Sequence, residues 1–523
     1  MSEDIHHECG VAALYWLDKA YCRGGKASKA VKKGNVATLV PGMLLDLQNR
    51  GQLAAGLSSY NASRVQILDT FKDIGTVAEA FRMSRPDEHR GILDEYAGQA
   101  AIGHTRYATC GRDDTRYAQP FERHHGRLWK WFCFAFNGNL ANYTKLRDRI
   151  LAKQNYHFTL NTDTEIIMHA LSYRLRGDRK ANLVGVMSSL CRDFDGAYNI
   201  AFMDAMGRMF VARDPLGLRP MSVAVEGRFF GASSESVALS KLGFENIRSL
   251  KPGEMALIEN GRLRFERFAP SSAPARCFFE WVYFSNVASE IDGASVYLAR
   301  AGSGKLLADM EDQPLDESCI VVPVPDTAKA AGDAFAFALG MPSVEGLIRN
   351  RYVGRTFIQP DTTRKASASS KYMPLPAVLK GKRVFLVEDS IVRSTTLSSL
   401  AEELRTRGQA REIHVRVACP PIISPCFYGI DMSTLGELFA PRYKESGYNG
   451  TPSEKMLKQM ASALKVDSLR YLPVKHLAAC LNVTECTLCK GCVTGKYPSR
   501  AGNELMKRAV QDLAEGKSKR TYE

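Results

Sequence analysis

The sequence predicts at least two domains, of which the second is an α/β domain built on a parallel sheet. The chain has 523 residues, which is more than one hydrophobic core usually contains. The apolar run Val384–Val387 is typical of a strand buried on both faces, and Leu397–Leu404 carries leucines at helical spacing. The alternating segment Ile413–Val417 follows as another strand. A strand, a helix and a strand in this order predict two parallel neighbours joined by the helix.

Two acids, Glu388 and Asp389, directly follow the first of these strands, and serines and threonines fill the loop before the helix. Open α/β sheets bind ligands at the carboxyl ends of their strands. Backbone N–H groups at a helix start, together with hydroxyls, suit a phosphate. Adjacent carboxylates suit ribose hydroxyls, either directly or through Mg²⁺. The alternative is a polar strand–helix connection that binds nothing.

The segment Val384–Thr396, VFLVEDSIVRSTT, resembles the motif with which type I phosphoribosyltransferases bind 5-phosphoribosyl 1-diphosphate (PRPP). It is most similar to the version in the glutamine PRPP amidotransferases, DDSIVRGTT. Ser394 replaces the Gly of that motif, and its Cβ would be costly if the backbone there needed a positive φ. The resemblance implies that Glu388 and Asp389 also hold Mg²⁺. The residues that it implies for PRPP binding in this loop are Glu388, Asp389, Ser390, Arg393, Ser394, Thr395 and Thr396.

The composition is typical of a soluble globular protein, with 45% hydrophobic and 24% charged residues. No apolar run reaches the length of about eighteen residues that a membrane span needs. The first ten residues, MSEDIHHECG, lack the apolar core of a secretory signal. We therefore expect a cytoplasmic protein without a membrane segment.

The net charge of +14, with a pI near 9.1, is compatible with nucleic acid or with a small anionic substrate. The sequence contains neither zinc-finger spacing nor an RNA-recognition aromatic motif. Substrate phosphates are therefore the better explanation of the charge, and no nucleic-acid partner is expected.

Cys9 is the candidate nucleophile of the amino-terminal half. A single early cysteine is usually just a buried residue, but ECGV around Cys9 and LQNRGQ at Leu47–Gln52 resemble the class II glutamine amidotransferases. The resemblance implies that residues 1–8 are a leader whose removal makes Cys9 the first residue. Its α-amino group, with a reference pKa of about 7.7–8.0, can then take the thiol proton. The thiolate attacks the side-chain amide of glutamine.

Further segments match that family in the same order, and they imply an αββα N-terminal-nucleophile fold over residues 9–275. The resemblance assigns Arg106 to the substrate α-carboxylate and Asp163 to its α-ammonium group. It assigns the Asn137 side chain and the Gly138 N–H to the tetrahedral oxyanion. Each match alone could be an ordinary turn or strand, but their common order makes coincidence improbable. The matching segments are Gly103–Tyr107, Ala118–Phe121, Asn137–Leu140, Asn161–Glu165 and Arg213–Pro220, with Asn49 and Phe136 at positions where the family has His.

The carboxyl-terminal half resembles the transferase portion of the same enzymes over residues 276–450. Pro325–Lys329, PDTAK, matches a pyrophosphate-contacting loop usually written PDSG, with Thr327 and Ala328 as departures. A serine at position 326 would be a further candidate contact of Mg²⁺. The residue there is Asp326, and we assign no metal to it. The predicted ligands of Mg²⁺ are therefore only Glu388 and Asp389.

A basic string and a polar stretch follow this loop. The string NRYVGRTF at 350–357 implies that Arg355, and less directly Arg351, contacts the diphosphate. Lys371 lies in a stretch rich in Ser, Thr and Lys that the resemblance implies is a closing lid. Closure would keep water away while ammonia attacks the sugar.

The 13 cysteines are an odd number in a chain expected to be cytoplasmic, so a disulfide framework is improbable. Cys486, Cys489 and Cys492 form a Cys-x₂-Cys-x₂-Cys run that suggests zinc or an iron–sulfur cluster, and spacing alone does not choose. With the following TGKYP, the run resembles the CxxCFTGKYP signature of the iron–sulfur amidotransferases. The resemblance implies a 4Fe–4S cluster on Cys277, Cys426, Cys489 and Cys492. We also expect residues 451–523 to form a helical and cluster-binding segment.

From Cys9 to about Pro498 the chain is thus identified as a member of the iron–sulfur, leader-bearing amidophosphoribosyltransferases. The resemblance implies conversion of glutamine, PRPP and water to 5-phosphoribosylamine, glutamate and diphosphate, the first step of purine synthesis. It also implies homotetramers and inhibition by purine nucleotides. Two alternatives remain open. Thr327, Ala328 and Ser394 motivate a paralogue with another donor or acceptor, and the chain could also be a regulatory homologue with a degenerate transferase site.

Overall fold

The computed structural model describes residues 9–31, 34–107, 114–153, 156–271, 273–349, 372–430, 432 and 434–517. The first half contains two antiparallel sheets packed face to face, with helices on both outer faces. This arrangement confirms the predicted αββα fold. No helix within the described ranges is both long and apolar enough to cross a membrane.

The first sheet places the strand that follows Cys9 at its centre. Alternating apolar residues of this strand fill the layer between the sheets and the layer under the outer helices. Val40–Asp46 and Ser236–Lys241 are the main helices on that outer face. The seven strands, in spatial order, are Arg248–Ser249, Ser222–Glu226, Phe229–Ser233, Gly10–Trp16, Ala100–Arg106, Ala54–Tyr60 and Leu68–Ile74.

The second sheet carries the segment with Asn137 on one of its inner strands. Its outer face packs on Asp163–Arg174 and Leu183–Asp193, both of which begin with a side-chain N-cap. The six strands, in spatial order, are Arg262–Arg267, Glu254–Glu259, Met209–Arg213, Gly196–Asp204, Phe132–Leu140 and Phe121–Arg123.

The second half is built on a parallel sheet, as the sequence predicted. Its strands, in spatial order, are Cys319–Pro323, Arg383–Glu388, Glu412–Val417 and Ser468–Tyr471, and every neighbouring pair is parallel. The predicted crossover helix is observed at Thr395–Thr406. The sheet extends beyond residue 450, where the predicted domain boundary lies, and the boundaries themselves stay predictions.

Shorter elements complete the described chain. Paired short strands are Arg276–Cys277 with Leu488–Cys489, Glu290–Ile291 with Ala294–Ser295, and Leu347–Arg349 with Tyr372–Pro374. A π-helix spans Glu280–Phe284. The remaining α-helices are Lys26–Ala30, Val77–Ala80, Pro86–Glu95, Tyr143–Leu151, Val296–Ala308, Lys329–Leu339, Pro376–Leu379, Glu454–Leu464, Leu477–Leu481, Gly491–Thr494 and Arg500–Ala514.

A buried ion-pair network joins the two halves. Arg50 donates to Glu235 at 2.7 Å and to Glu280 at 2.7 Å, and Arg219 donates to Glu280 at 3.3 Å. Burial alone would raise the pKa of Glu280, but Arg50 and Arg219 lower it to about 2. The carboxylate is therefore charged at neutral pH, and it fixes the start of the transferase half against the glutaminase half.

Candidate active sites

Cys9 lies immediately before the central strand of the first sheet, and it is half-buried. The next residue, Gly10, is paired in register with Thr105, and its N–H donates to Thr105 Oγ1 at 3.2 Å. Cys9 Sγ lies 3.8 Å from the carbonyl oxygen of Tyr107. The pairing places the candidate nucleophile at the same end of the sheet as Arg106.

Arg106 ends the neighbouring strand with only 5% of its surface exposed. Its guanidinium carbon lies 5.4 Å from the ring centroid of Tyr117. The chain turn beside it leaves no space for a side chain, because a Cβ on Gly51 would lie 2.5 Å from the Arg106 carbonyl carbon. Leu53 N–H also donates to Arg106 O at 3.0 Å. The backbone of the predicted carboxylate clamp is therefore fixed on two sides.

Gly138 meets a requirement that only glycine satisfies. Its φ is +145°, and a Cβ there would lie 2.0 Å from the carbonyl oxygen of Ala197 on the neighbouring strand. The preceding side chain, Asn137, is 1% exposed, and its Nδ2 lies 3.3 Å from Ser234 Oγ. The two predicted oxyanion donors thus belong to one tightly packed strand segment.

Two residues without a predicted role hold the peptide before Asn137. The Phe136 N–H donates to Gln119 Oε1 at 2.8 Å, and Phe136 O accepts from Gln119 Nε2 at 3.4 Å and from His104 Nε2 at 3.2 Å. Burial lowers the pKa of His104 to about 3, so the ring is neutral and acts as a donor here. Because the structure uses the Phe136 backbone, Phe in place of the family's His leaves this contact intact. The sequence contained a signal for both residues, since His104 and Gln119 lie in segments that match the family.

Asp163 begins the helix Asp163–Arg174, next to the oxyanion segment. Burial raises the pKa of its carboxyl to about 6, although the backbone N–H groups of Leu140 and Thr164 donate to it. Leu140 is the last residue of the strand that carries Asn137 and Gly138. The structure therefore places Asp163 beside the second-sheet strand that carries Asn137 and Gly138, while Cys9 and Arg106 lie at one end of the first sheet.

Glu388 and Asp389 lie at the carboxyl edge of the parallel sheet, as predicted. Asp389 is 5% exposed, and its carboxylate accepts from Ser390 Oγ at 2.7 Å and from the Thr327 hydroxyl. The Asp389 N–H donates to Glu388 Oε1 at 3.1 Å. Thr327 keeps the hydroxyl of the family's Ser, so this departure preserves the contact between the two loops.

Position 326 requires a correction, because the serine equivalent considered there for Mg²⁺ is absent and the residue is Asp326. The Asp326 side chain is 70% exposed, and its carboxylate accepts from Arg349 Nη1 at 2.6 Å. The hydroxyl that contacts the acidic loop belongs to the next residue, Thr327. The hydroxyl equivalent to the family's Ser is therefore at 327, and Asp326 serves an ion pair at the surface.

The other two departures also fit the backbone. Ser394 has φ −87° and ψ −17°, and Ala328 has φ −80° and ψ −5°, so neither position needs glycine. Ala328 is fully buried. The expected conformational cost at Ser394 is therefore absent.

Of the remaining residues predicted to contact PRPP, some lie in the described loop and the others lie outside the described residues. Arg393 Nη2 lies 3.4 Å from Glu437 Oε1, and Thr395 is exposed at the first turn of the helix. Ser390 and Thr396 are partly exposed in the same loop. The predicted Arg351, Arg355 and Lys371 lie outside the described residues, as do the leader residues 1–8.

The four predicted cluster ligands meet where the short strands Arg276–Cys277 and Leu488–Cys489 pair in parallel. Cys277 and Cys489 are partners in register. Burial, and then the Cys277, Cys426 and Cys489 thiols, raise the pKa of Cys492 well above its usual range. Burial raises the pKa of Cys489 to about 12. Burial also raises the pKa of Cys277 well above its usual range. Thiols with raised pKa values suit a metal-containing group whose positive charge stabilises the thiolates.

The arrangement also bears on the zinc alternative. A tetrahedral zinc needs its sulfurs about 4 Å apart, given a Zn–S bond of about 2.3 Å. Among the described residues, no three His, Cys, Asp or Glu side chains are arranged to hold one metal ion. Of the extra cysteines, Cys480 is buried and Cys486 is exposed.

The cysteine-bearing loop contacts the oxyanion segment directly. Asn139 Nδ2 donates to Phe427 O at 3.0 Å, one residue after Cys426. A Cβ on Gly429 would lie 3.1 Å from the carbonyl carbon of Gly138. Arg219 donates to Tyr428 O at 2.7 Å. The transferase half therefore supports the backbone of the glutaminase site.

A small cavity of about 10 Å³ lies between the π-helix and the acidic loop. Its walls include Trp281, Arg300, Thr327, Asp389 and Cys480. Arg300 donates to the carbonyl oxygens of Trp281 and Ser285 at 2.9 and 2.8 Å. A space of this volume holds one water-sized molecule.

Comparisons with known proteins give the same result over nearly the whole chain. A family model described as a glutamine amidotransferase domain matches residues 66–246. The amidophosphoribosyltransferase of Methanothermobacter thermautotrophicus is 35% identical over 505 residues, covering 96% of this chain and 97% of that protein. This chain belongs to the amidophosphoribosyltransferase family. The Bacillus subtilis amidophosphoribosyltransferase is 36% identical, covering 87% of this chain and 90% of that protein.

Solved amidophosphoribosyltransferase structures share the fold across both halves. The Bacillus subtilis glutamine PRPP amidotransferase, complexed with ADP and GMP, superimposes with a TM-score of 0.78 at 33% identity, covering 94% of this chain and 98% of that one. A structure described as the allosteric regulatory enzyme of purine biosynthesis gives 0.79 at 34% identity, covering 94% and 97%. The predicted fold class and the amidophosphoribosyltransferase family are confirmed, and the iron–sulfur cluster and the leader stay predictions.

Proposed function

We propose that this chain converts glutamine, PRPP and water to 5-phosphoribosylamine, glutamate and diphosphate. The observation that carries the proposal is the presence, in one chain, of Cys9 beside Arg106 and of an acid-and-hydroxyl loop at the edge of a parallel sheet. The first site releases ammonia, and the second holds the sugar that receives it.

In the glutaminase site, Arg106 and Asp163 bind the two charged groups of the substrate, and the Cys9 thiolate attacks its amide. The α-amino group of Cys9, once residues 1–8 are removed, takes the thiol proton. Asn137 and the Gly138 N–H stabilise the oxyanion. The fixed backbone of residues 136–140 supports this role, because such donors act by being preorganised.

In the transferase site, Glu388 and Asp389 receive the ribose hydroxyls, and the helix start at Ser394–Thr396 receives the 5-phosphate. Ser390 and Arg393 complete the loop, and Arg355 and Lys371 contact the diphosphate from the lid. Glu388 and Asp389 would also hold Mg²⁺, which supplies positive charge to the leaving diphosphate. The hydroxyls of Thr327 and Ser390 orient the Asp389 carboxylate.

Ammonia passes from Cys9 toward Asp389 without entering bulk water. The small cavity beside Asp389 and Arg300 supports this path, because the π-helix that forms its wall also contacts Arg50 through Glu280. A separate proposal concerns the cluster. Cys277, Cys426, Cys489 and Cys492 would hold a 4Fe–4S cluster, which ties three distant segments together.

The finer assignments follow the same family. We infer a leader at 1–8, a glutaminase domain at 9–275, a transferase domain at 276–450 and a cluster-binding segment at 451–523. Purine nucleotides are the proposed inhibitors, since the Bacillus subtilis relative is described with ADP and GMP. A cytoplasmic homotetramer is the proposed form. The paralogue alternative is not favoured, because Thr327, Ala328 and Ser394 each fit the backbone or preserve a contact.

The deciding experiment measures PRPP-dependent formation of phosphoribosylamine with glutamine or with ammonia as the nitrogen source. Cys9→Ala should abolish the glutamine-dependent reaction and retain the ammonia-dependent one. Cys22→Ala, at an exposed cysteine, is the matched control and should retain both. A Cys9→Ala protein that still uses glutamine would refute the assignment of the nucleophile. Glutaminase activity without any use of PRPP would favour the paralogue, and loss of both reactions in the wild type would favour the regulatory homologue.

A further inference from the structure

Two buried amide oxygens on neighbouring strands of the second sheet have no hydrogen-bond partner among the described residues. They are Asn137 Oδ1 and Asn199 Oδ1. The two residues are direct partners in register on the antiparallel strands Phe132–Leu140 and Gly196–Asp204, and both are at most 1% exposed. Direct cross-strand partners point to the same face with Cβ atoms about 4.5–5.5 Å apart. Two unpaired carbonyl groups side by side in a dry interior need a donor.

Ser234 provides the first donor. Its Oγ accepts from the Val11 N–H at 2.9 Å, and its own N–H donates to Val11 O at 2.9 Å. The hydroxyl hydrogen is therefore still available, and the Asn137 amide lies 3.3 Å from that oxygen. The two ends of a carboxamide have similar shapes, so hydrogen bonds decide which end faces a neighbour. With the oxygen of Asn137 toward Ser234, the hydroxyl donates and Oδ1 is satisfied.

The same orientation satisfies Asn199. It moves the Asn137 Nδ2 group, which carries two hydrogens, to the end that had no partner. One hydrogen can donate to Asn199 Oδ1, while Asn199 Nδ2 keeps its bond to Pro220 O at 2.8 Å. The second hydrogen remains free. A single rotation of one amide thus pairs both carbonyl oxygens and leaves one aimed donor.

We propose that Ser234 and Asn199 are positioning residues that set the amide of Asn137 so that one Nδ2 hydrogen faces the oxyanion formed at Cys9. The Val11 N–H donates to Ser234 Oγ, and Val11 lies on the strand that starts one residue after Cys9. Ser234 therefore positions the Asn137 amide relative to the strand next to the nucleophile. The inference rests on the proposed glutaminase function and adds to it two residues that act through Asn137. Without Ser234 the amide can turn its oxygen toward the oxyanion, which repels it.

The test compares Ser234→Ala, Ser234→Thr and Asn199→Leu for glutamine hydrolysis, each alone and combined with Asn137→Ala. Loss of one oxyanion donor lowers kcat by about 10²- to 10³-fold, so we expect that loss for Asn137→Ala. Ser234→Ala and Asn199→Leu should each lower kcat about tenfold or more with little change in KM for glutamine, since Arg106 and Asp163 are untouched. Ser234→Thr keeps the hydroxyl and should retain most of kcat. In the Asn137→Ala background, neither second substitution should cost anything further.

The ammonia-dependent reaction reports whether each variant folds, and it should stay unchanged. If Ser234→Ala loses that reaction, Ser234→Thr and Asn199→Leu carry the comparison. Full kcat in Ser234→Ala and Asn199→Leu, or the same cost with and without Asn137, would overturn the positioning role alone. Full kcat in Asn137→Ala would overturn the proposed oxyanion role, and the positioning role with it.

Discussion

The glutaminase and transferase sites differ in how their reactive groups are held. Around Cys9 the donors lie between two sheets, where Asn137 is 1% exposed and the Phe136 peptide makes three side-chain hydrogen bonds. The transferase acids lie at the carboxyl edge of one sheet, where the Asp389 carboxylate accepts from the hydroxyls of Thr327 and Ser390. The first site is preorganised by its packing between two sheets, whereas the second lies at the edge of one sheet, where the substrate must add contacts.

The two sites also differ in how they accommodate residues that depart from the family's motifs. In the glutaminase half, Asn49 stands in place of the family's His, and its Nδ2 donates to Glu235 Oε1 at 2.7 Å and to Phe284 O at 3.0 Å. In the transferase half, Ser394 and Ala328 need no compensation, because their backbone conformation suits any residue. These departures fit either because the side chain finds partners, as at Asn49, or because the backbone suits any residue, as at Ser394 and Ala328.

The largest expected effect comes from breaking the buried network beneath the glutaminase site. Glu280→Ala leaves Arg50 and Arg219 buried with fewer partners, which should cost about 3–5 kcal/mol of unfolding free energy. Urea unfolding followed by circular dichroism would measure it as a lower midpoint. Glu266→Ala removes an exposed pair with Arg264 at 3.0 Å and should cost less than about 1 kcal/mol. Equal urea midpoints for Glu280→Ala and Glu266→Ala would contradict the conclusion that the buried network preorganises the glutaminase half.

The next effect concerns Asp163, whose raised pKa of about 6 makes glutamine binding sensitive to pH. Below pH 6 the carboxyl is protonated and cannot pair with the substrate ammonium group, so kcat/KM falls with pH. With residues 1–8 removed as proposed, protonation of the Cys9 α-amino group, with a reference pKa of about 7.7–8.0, lowers kcat/KM in the same direction. The limiting slope of log kcat/KM below pH 6 should therefore approach two.

Asp163→Asn distinguishes the effect of the Asp163 carboxyl on kcat/KM from that of the Cys9 α-amino group. It should lower kcat/KM at pH 8 by about 10- to 150-fold, the value of a charged hydrogen bond, and reduce the limiting slope to one. Asp148→Asn, at an exposed acid on Tyr143–Leu151, is the control and should keep the slope of two. A slope that stays at two in Asp163→Asn would remove Asp163 from the binding step.

Sequence reasoning predicted the parts of each site that are local in the chain. The strand, acidic loop and helix around Glu388 have their signal within about twenty residues, as apolar runs and helical spacing. The partners of Asn137 do not, since Ser234 lies 97 positions away and no periodicity links them. Arg50 and Glu280 are separated by 230 positions and belong to motifs of different halves. Such contacts arise from sheet packing, which a motif does not encode.

A moderate effect is expected where the open site depends on a single hydroxyl. Thr327→Val keeps the shape of the side chain and removes its donor to Asp389, so that the acid loses part of its orientation. The KM for PRPP in the ammonia-dependent reaction should rise about tenfold, the cost of one hydrogen bond to a charged group. Thr327→Ser keeps the donor and should stay within about twofold. If both variants behave alike, the hydroxyl does not orient Asp389.

The smallest effect is expected at Ser394, and it tests whether the edge site is as permissive as its backbone indicates. Ser394→Gly restores the family residue, yet φ is −87° there, so the glycine gains no conformational advantage. At an N-cap position Gly differs from Ser by only a few tenths of a kcal/mol. The KM for PRPP should therefore change by less than about threefold. A tenfold lower KM would mean that the Cβ of Ser394 obstructs the phosphate, and that the departure at this position has a cost in binding.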